Sequence, residues 1–297
     1  MDKEKILLIV NPVAGTGQSR TALFGILSEL CAGDRPVMVM MTAGAGDASR
    51  IAREYGGEYK TLACVGGDGT LSEILSGVMA LPEAERPDIG YIPMGTANDM
   101  ASTFQLSNVP ETAAKTVVEG TAKSVDLGRL GDKFFGYVAA FGAFTEVSYS
   151  TPQDLKNTLG HLAYVIEGAI SVPQIKPIKV KIEHDGGVIE GEYIYGGISN
   201  SLSLGGLMKL SPEDVDLSDG LLELLLVKAP KSAAELQKAV FGILTQNYDG
   251  DEVVLLHTQK ASFTFSEPVA WTRDGEAGGE YREVTAENIR QAVRIIM

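Results

Sequence analysis

Over its first 128 residues the chain alternates short apolar runs with stretches of helical periodicity, and this alternation constrains the fold more than any other feature. "KILLIV" (5–10), "PVMVMM" (36–41), "TLACV" (61–65) and "DIGYIP" (88–93) are nearly continuous apolar runs, as in parallel strands buried on both faces. Met38, Met40 and Met41 are therefore expected in a buried strand. Helices are expected from about Ser19 to Cys31, over 46–55, and from Thr70, where Leu71, Ile74, Leu75 and Val78 fall at i, i+3, i+4 and i+7. Strand and helix in repetition specify an α/β domain around a parallel sheet. After Ser124 the texture becomes strand-dominated. Residues 176–197 alternate Ile178, Val180 and Ile182 with Lys179, Lys181 and Glu183, then turn at Asp185-Gly186-Gly187, which predicts a hairpin. Further strands are expected over 221–227 and 261–266, and helices from Thr151 to about Ile170 and over 232–244. At 297 residues two domains fit better than one, with a boundary near 125–130.

Three of the four expected strands run into polar glycine loops: "NPVAGTG" (11–17), "VGGDGT" (65–70) and "PMGTAND" (93–99). A strand, a glycine turn and a helix together direct unpaired N–H groups and the positive helix end at whatever fills the turn, and phosphate is the usual occupant. Open α/β sheets bind ligands at the carboxyl ends of their strands, so the three loops should line one crevice. Gly66, Gly67 and Gly69 would let a polyphosphate approach the backbone, and Thr70 is expected to cap the following helix with its hydroxyl. Alone, "GGDGT" reads equally well as a tight turn with a solvated Asp68. A carboxylate beside phosphate is repulsive unless a cation lies between them or it takes a proton from an attacking hydroxyl. Both roles belong to phosphoryl transfer. No G-x-x-x-x-G-K-[ST] occurs, and Gly67 to Ser72 places Ser where a dinucleotide fingerprint has its third glycine.

Composition removes other classes. With 25 Lys and Arg against 39 Asp and Glu the net charge is -14, which argues against a nucleic-acid partner. The longest apolar stretches, such as 136–144, are shorter than a spanning helix requires, and the N-terminus is too short in apolar residues for a signal peptide. Cys31 and Cys64, both in apolar surroundings, have no metal or redox spacing, so a reducing cytoplasm is expected. His161, His184 and His257 share no ligand spacing, Trp271 is expected in the core, and Lys176, Lys179 and Lys181 on a solvated strand face.

"NPVAG", "VGGDGT", "PMGTAND", "SPEDVDLSDGLLE" and "RDGE", in this order and approximate spacing over nearly the whole chain, resemble the diacylglycerol kinase catalytic-domain family. That family includes sphingosine kinases and, more distantly, NAD kinases. The similarity is greatest to the Gram-positive diacylglycerol kinase type and extends through "TEVSYSTP". The resemblance implies an α/β nucleotide-binding domain (1–128), a C-terminal β-sandwich for the lipid (129–286), a cleft between them, and a terminal segment (287–297) packing back on the first domain. It implies ATP and Mg2+ as cofactors and a lipid alcohol as substrate, and it is compatible with peripheral contact at the inner membrane face and with a homodimer. It assigns nucleotide binding to Asn11, Pro12, Gly15, Thr42, Gly66, Gly67, Asp68, Gly69, Thr70, Ser72, Glu73, Gly95, Thr96 and Asn98. Asp68 would position Mg2+ and the terminal phosphates, Asp274 would be the general base with Glu276 in support, and a second Mg2+ would sit on the Asp219 carboxylate and the carbonyls of Asp216 and Leu221. An acidic solvated loop is the plain alternative for that last stretch.

The chain departs from this type at three places where relatives carry basic residues: Thr16, Ser102 and Glu167. Losing positive groups around an anionic transfer site weakens substrate attraction and transition-state stabilisation. Two other functions share parts of the pattern. A NAD kinase has "GGDG" but is not expected to carry "PMGTAND", and a non-catalytic nucleotide or lipid sensor would tolerate the missing bases.

Overall fold

The computed structural model describes residues 5–32, 34–143, 176–204, 208–210, 215–248 and 250–297. The helix expected from Thr151 to Ile170, His161, Glu167 and the end of the 136–144 stretch lie outside the described residues. Contacts group the chain into two compact units, Met1–Leu127 with Arg290–Met297, and Gly128–Ile289.

The first unit is built on four parallel strands, β1 (Ile6–Val10), β2 (Val37–Met41), β3 (Thr61–Gly66) and β4 (Asp88–Pro93), in the order β4-β3-β1-β2. Helices α1 (Gln18–Leu30), α2 (Asp47–Tyr55), α3 (Asp68–Met79), α4 (Asp99–Thr103) and α5 (Pro110–Glu119) connect them or follow them. Successive side chains of a strand point to opposite faces, and both faces here are covered. Ile6, Leu8 and Val10 pack with Ile26 and Leu30 of α1 and with Ala113, Ala114 and Val117 of α5. Leu7 and Ile9, of opposite parity, are equally buried, and α2 packs against α3. The apolar stripe Leu71, Ile74, Leu75 and Val78 is buried along α3.

Two expectations fail for reasons of topology. Met38 and Met41 are 52% and 51% exposed, because β2 is the edge strand and, among the described residues, pairs only with β1. Cys31 is exposed because it terminates α1 as its C-cap, whereas Cys64 in β3 is buried, and burial pushes its thiol pKa up.

In the second unit β5 (Ala122–Leu130), which begins in the first, forms a hairpin with β6 (Lys133–Phe135). The other strands are β7 (Val138–Gly142), β8 (Ile178–His184), β9 (Gly187–Ser199), β10 (Ser203–Leu204), β11 (Met208–Lys209), β12 (Leu222–Lys228), β13 (Val253–Thr258), β14 (Lys260–Arg273) and β15 (Glu276–Ile296). The last four residues of α6 (Ala233–Thr245) are half-buried or exposed, and Ser232 caps its start by accepting the Glu235 N–H. Among the described residues, β5–β6, β10–β11, β12–β13, β9–β12, β14–β15, β7–β14, β8–β14, β7–β9 and β8–β9 are antiparallel pairs, so that β9 and β14 each pair with both β7 and β8. Register shifts interrupt the pairing at Val227/Lys228 and between Thr264 and Val269, and irregularities of this kind let strands turn from one layer of a β-sandwich to the other. Its core holds Phe141, Phe263, Phe265 and Trp271, with Trp271 4.9 Å from Phe141 and 5.0 Å from Phe263 between ring centres. Val180 and Ile182 face that core, while Lys179 and Lys181 are exposed and pair with Glu190 and Glu183. The end of β15 returns to the first unit, where Arg294 and Ile295 lie parallel to Asp88 and Ile89 of β4. Among the described residues no helix is long and apolar enough to cross a membrane.

Candidate active site

At the carboxyl ends of the parallel strands four loops converge. Asn11, Pro12 and Gly15 follow β1, Thr42 follows β2, Gly66 to Asp68 join β3 to α3, and Gly95, Thr96 and Asn98 follow β4. The strand order reverses direction between β1 and β3, the place where an open sheet leaves a crevice. Asn11 spans that crevice. Its Nδ2 donates to Thr70 Oγ1 at 3.0 Å, its Oδ1 accepts the Val13 N–H, and its main-chain oxygen accepts the Ser19 hydroxyl. Thr70 therefore does not cap α3. The helix starts at Asp68 with Gly67 as N-cap and no side-chain cap, and the Thr70 hydroxyl is turned to Asn11.

Glycine is required where two of these loops touch. A Cβ on Gly95 would lie 2.8 Å from the Gly67 Cα and 2.8 Å from Asn98 Oδ1, and a Cβ on Gly67 would lie 3.1 Å from the Gly95 Cα. Asn98, in the left-handed region at φ 54°, staples its own loop by accepting the Gly95 N–H at 2.8 Å and donating to the Gly95 carbonyl. Its side chain is committed there, while Thr96 is exposed. Gly95→Ala must push the backbones apart, which costs about 1–3 kcal/mol. A fall in melting temperature of several degrees is the expected result, and an unchanged melting curve would show that the loops are not in contact.

Asp68 is half-buried and holds the third loop to the fourth. Its Oδ2 accepts the Asp99 N–H at 3.0 Å, and its Oδ1 accepts the Met100 N–H at 3.1 Å and the Tyr91 hydroxyl at 3.3 Å. The carboxylate thus occupies the N-terminus of α4, thirty-one residues along the chain. Burial pushes its pKa up to about 6, and the Asp99 charge adds to the push against the pull of those donors. Glu73, in the second turn of α3, takes the N–H groups of Gly46 and Ala48 at 2.8 and 3.1 Å and so caps α2 from outside. Ser72 lies beside it on α3. Asp99 and Tyr91 escaped the sequence reading, because nothing local distinguishes an aspartate that starts a short helix or a tyrosine inside a strand.

The residues of the second unit form separate features. Asp274 sits in the turn between β14 and β15 at φ 48° and is only 4% exposed. Its Oδ1 accepts the N–H groups of Tyr137 and Val138 at 3.0 and 3.1 Å, and its Oδ2 that of Gly136 at 2.7 Å. Glu276, the first residue of β15, is exposed. Asp216, Asp219 and Leu221 precede β12. Asp219 Oδ1 accepts the Leu221 N–H, the Leu221 carbonyl accepts Asn288 Nδ2 at 2.9 Å, and Asp216 Oδ1 accepts both groups of Ser218. Among the described residues no three His, Cys, Asp or Glu side chains are grouped to hold a metal ion.

Residues 5–130 match the family Diacylglycerol kinase catalytic domain, and residues 139–297 match the YegS C-terminal NAD kinase beta sandwich-like domain. A Diacylglycerol kinase of Bacillus subtilis (strain 168) is 31% identical over 92% of this chain and 89% of its own length. The chain belongs to the diacylglycerol kinase family. It is a kinase. A Diacylglycerol kinase of Staphylococcus aureus (strain MRSA252) is 36% identical over 76% of this chain and 71% of its own. A crystal structure of a family member from Bacillus anthracis str. Sterne covers all of this chain with a TM-score of 0.79 at 24% identity, a likeness of fold. Another structure from that organism reaches a TM-score of 0.85 at 25% identity, covering all of this chain and 98% of its own. These likenesses extend over both units, the α/β domain and the β-sandwich alike.

Proposed function

We propose that the chain is an ATP- and Mg2+-dependent lipid kinase that moves the terminal phosphoryl group of ATP onto a hydroxyl of a lipid such as diacylglycerol. The observation that carries this reading is Asp68 at the β1/β3 crevice, a carboxylate of raised proton affinity inside glycine loops, in a chain of this family. Residues 1–128 take the nucleotide and residues 129–286 the lipid alcohol. Asn11 to Gly15, Thr42, Gly66 to Glu73 and Gly95 to Asn98 are the nucleotide-binding set, in which N–H groups and the α3 N-terminus face the phosphates.

Asp68 and the adjacent Asp99 fit a hard divalent cation. Both offer oxygen donors, and the mutual repulsion that helps to raise Asp68 is what a cation would relieve. Bound there, Mg2+ would neutralise charge on the transferring phosphoryl group. Asp274 takes the proton of the lipid hydroxyl, its orientation fixed by three main-chain donors, with Glu276 beside it. Asp216, Asp219 and Leu221 are a second, structural Mg2+ site, an all-oxygen set in a loop held by Asn288. A cation bound only by the folded state stabilises it by mass action. Added Mg2+ should therefore raise the melting temperature of the native protein and leave that of Asp219→Ala unmoved, and an equal rise in both would remove the second site.

ADP release with Mg2+ over a panel of lipid alcohols, with NAD and water as other acceptors, tests the function. Release that depends on a lipid alcohol supports the reading. NADP formation would make the chain a NAD kinase, and no turnover with any acceptor would make it a sensor.

A further inference from the structure

We propose that the first unit carries a second ligand site, for a phosphate-bearing anion, at the amino-terminal edge of its sheet. A pocket of about 560 Å³ is lined there by Glu83, Arg86, Ser124, Arg290, Gln291 and Arg294, among others, all in one unit. The lining residues Glu83, Arg86 and Pro87 precede β4, whereas the glycine loops follow its end. A strand of that length separates the two by about 20 Å, so the pocket is no part of the transfer site.

Three features mark it as built rather than incidental. Arg86 is fixed from behind, Nη1 donating to the Ala292 carbonyl at 2.8 Å and Nε to the Leu81 carbonyl at 3.3 Å. A guanidinium has five N–H donors in a planar fork, so this anchoring orients the donors that remain. Gln291 is held in the left-handed region at φ 50°, inside a strand and without being glycine, and its N–H is taken by the fully buried Asp126 at 2.6 Å. Such a conformation costs about 1–3 kcal/mol and persists only where the surroundings impose it. It falls where Arg290 and Gln291 enter the pocket lining. Finally, Arg290 has no hydrogen-bond or ion-pair partner among the described residues, although the chain has an excess of fourteen negative charges.

The chemistry of the lining selects an anion. The acidic residue in the lining is Glu83, set against the guanidiniums of Arg86 and Arg290, while the third guanidinium, Arg294, is paired with Asp88 of β4 at 3.2 Å. The Ser124 hydroxyl and the Gln291 amide add neutral donors. Forked guanidiniums match phosphate oxygens bidentately. The volume lies within the range of small-molecule sites and exceeds the need of a bare phosphate ion, so a phosphate ester fits better. A soluble phosphate ester and a phospholipid headgroup share this chemistry.

Binding is measured with the transfer site saturated by Mg2+ and a non-hydrolysable ATP analogue. The probes are glycerol 3-phosphate, read by calorimetry, and phosphatidylcholine vesicles with and without phosphatidate, read by sedimentation. Binding of glycerol 3-phosphate by the native protein, weakened about tenfold or more in Arg290→Gln, supports a soluble-ester site. Phosphatidate-dependent sedimentation lost in Arg290→Gln supports a headgroup site. Arg290 is exposed, so the variant should fold with a native melting curve. Failure of both probes to bind the native protein, or equal binding by native protein and variant, overturns the proposal. A kinase that proves inactive on lipids would leave these outcomes unaffected.

Discussion

Asp274→Asn should abolish phosphoryl transfer and also destabilise the protein, and the second effect separates this account from one in which Asp274 is only a solvent-facing base. Its two oxygens accept three main-chain N–H groups from residues 136–138. An amide keeps one oxygen and turns an NH2 group against a donor, so at least one buried N–H loses its acceptor, at a cost of about 1–3 kcal/mol. For a domain of this size that lowers the melting temperature by roughly 2–10 °C. Loss of a general base lowers the rate by about 10²–10⁴-fold, and the assay temperature must lie well below the variant's transition so that unfolding does not imitate it. A stable but inactive variant would contradict the hydrogen bonding. A destabilised variant with full activity per folded molecule would move the base elsewhere, and Glu276→Gln is then the variant to assay.

Asp68→Asn should be just as inactive, with a stability change that depends on pH. The folded-state pKa of Asp68 is raised from 3.8 to about 6. A raised carboxyl pKa means that the folded state binds the proton more tightly than the unfolded state. Ionisation of Asp68 therefore costs stability, on the order of 3 kcal/mol above pH 6. That cost disappears as pH falls from about 6 to the unfolded value of 3.8. Asparagine escapes the cost but sets its NH2 group against the N–H of Asp99 or Met100, a penalty of similar size. At pH 7 the two effects nearly cancel, and native and variant proteins should melt within a few degrees of each other. Towards pH 4 the native protein regains stability that the variant cannot, so the gap opens in its favour. A gap that stays constant, or closes on acidification, would show that its surroundings do not raise the pKa of Asp68.

How much of this could be read from the sequence depends on how far apart the interacting residues lie. The strands at 6–10, 61–66 and 88–93 are legible because burial on both faces leaves continuous apolar runs, and α3 because its stripe has helical spacing. Sheet order is not legible in this way. "VMVMM" has the same apolar texture as a central strand, and only its place beyond β1 exposes Met38 and Met41. Glycine spacing marks the loops, but their contacts are long-range. Thr70 meets Asn11 across fifty-nine residues and Asp274 reaches Gly136 across 138, so a local capping rule sent the Thr70 hydroxyl to the wrong partner. Asp68 and Glu73 follow the same pattern, each carboxylate capping a helix that is remote in sequence.

The central claim is transfer to a lipid hydroxyl, and label transfer tests it most directly. Native protein is incubated with ATP labelled in its γ-phosphate, Mg2+ and vesicles containing diacylglycerol or other lipid alcohols, and the organic phase is counted. The account predicts labelled phospholipid from at least one of these alcohols with native protein, none with Asp68→Asn or Asp274→Asn, and none without Mg2+. Label that remains in ATP, passes only to water, or reaches lipid equally well with Asp68→Asn would contradict it.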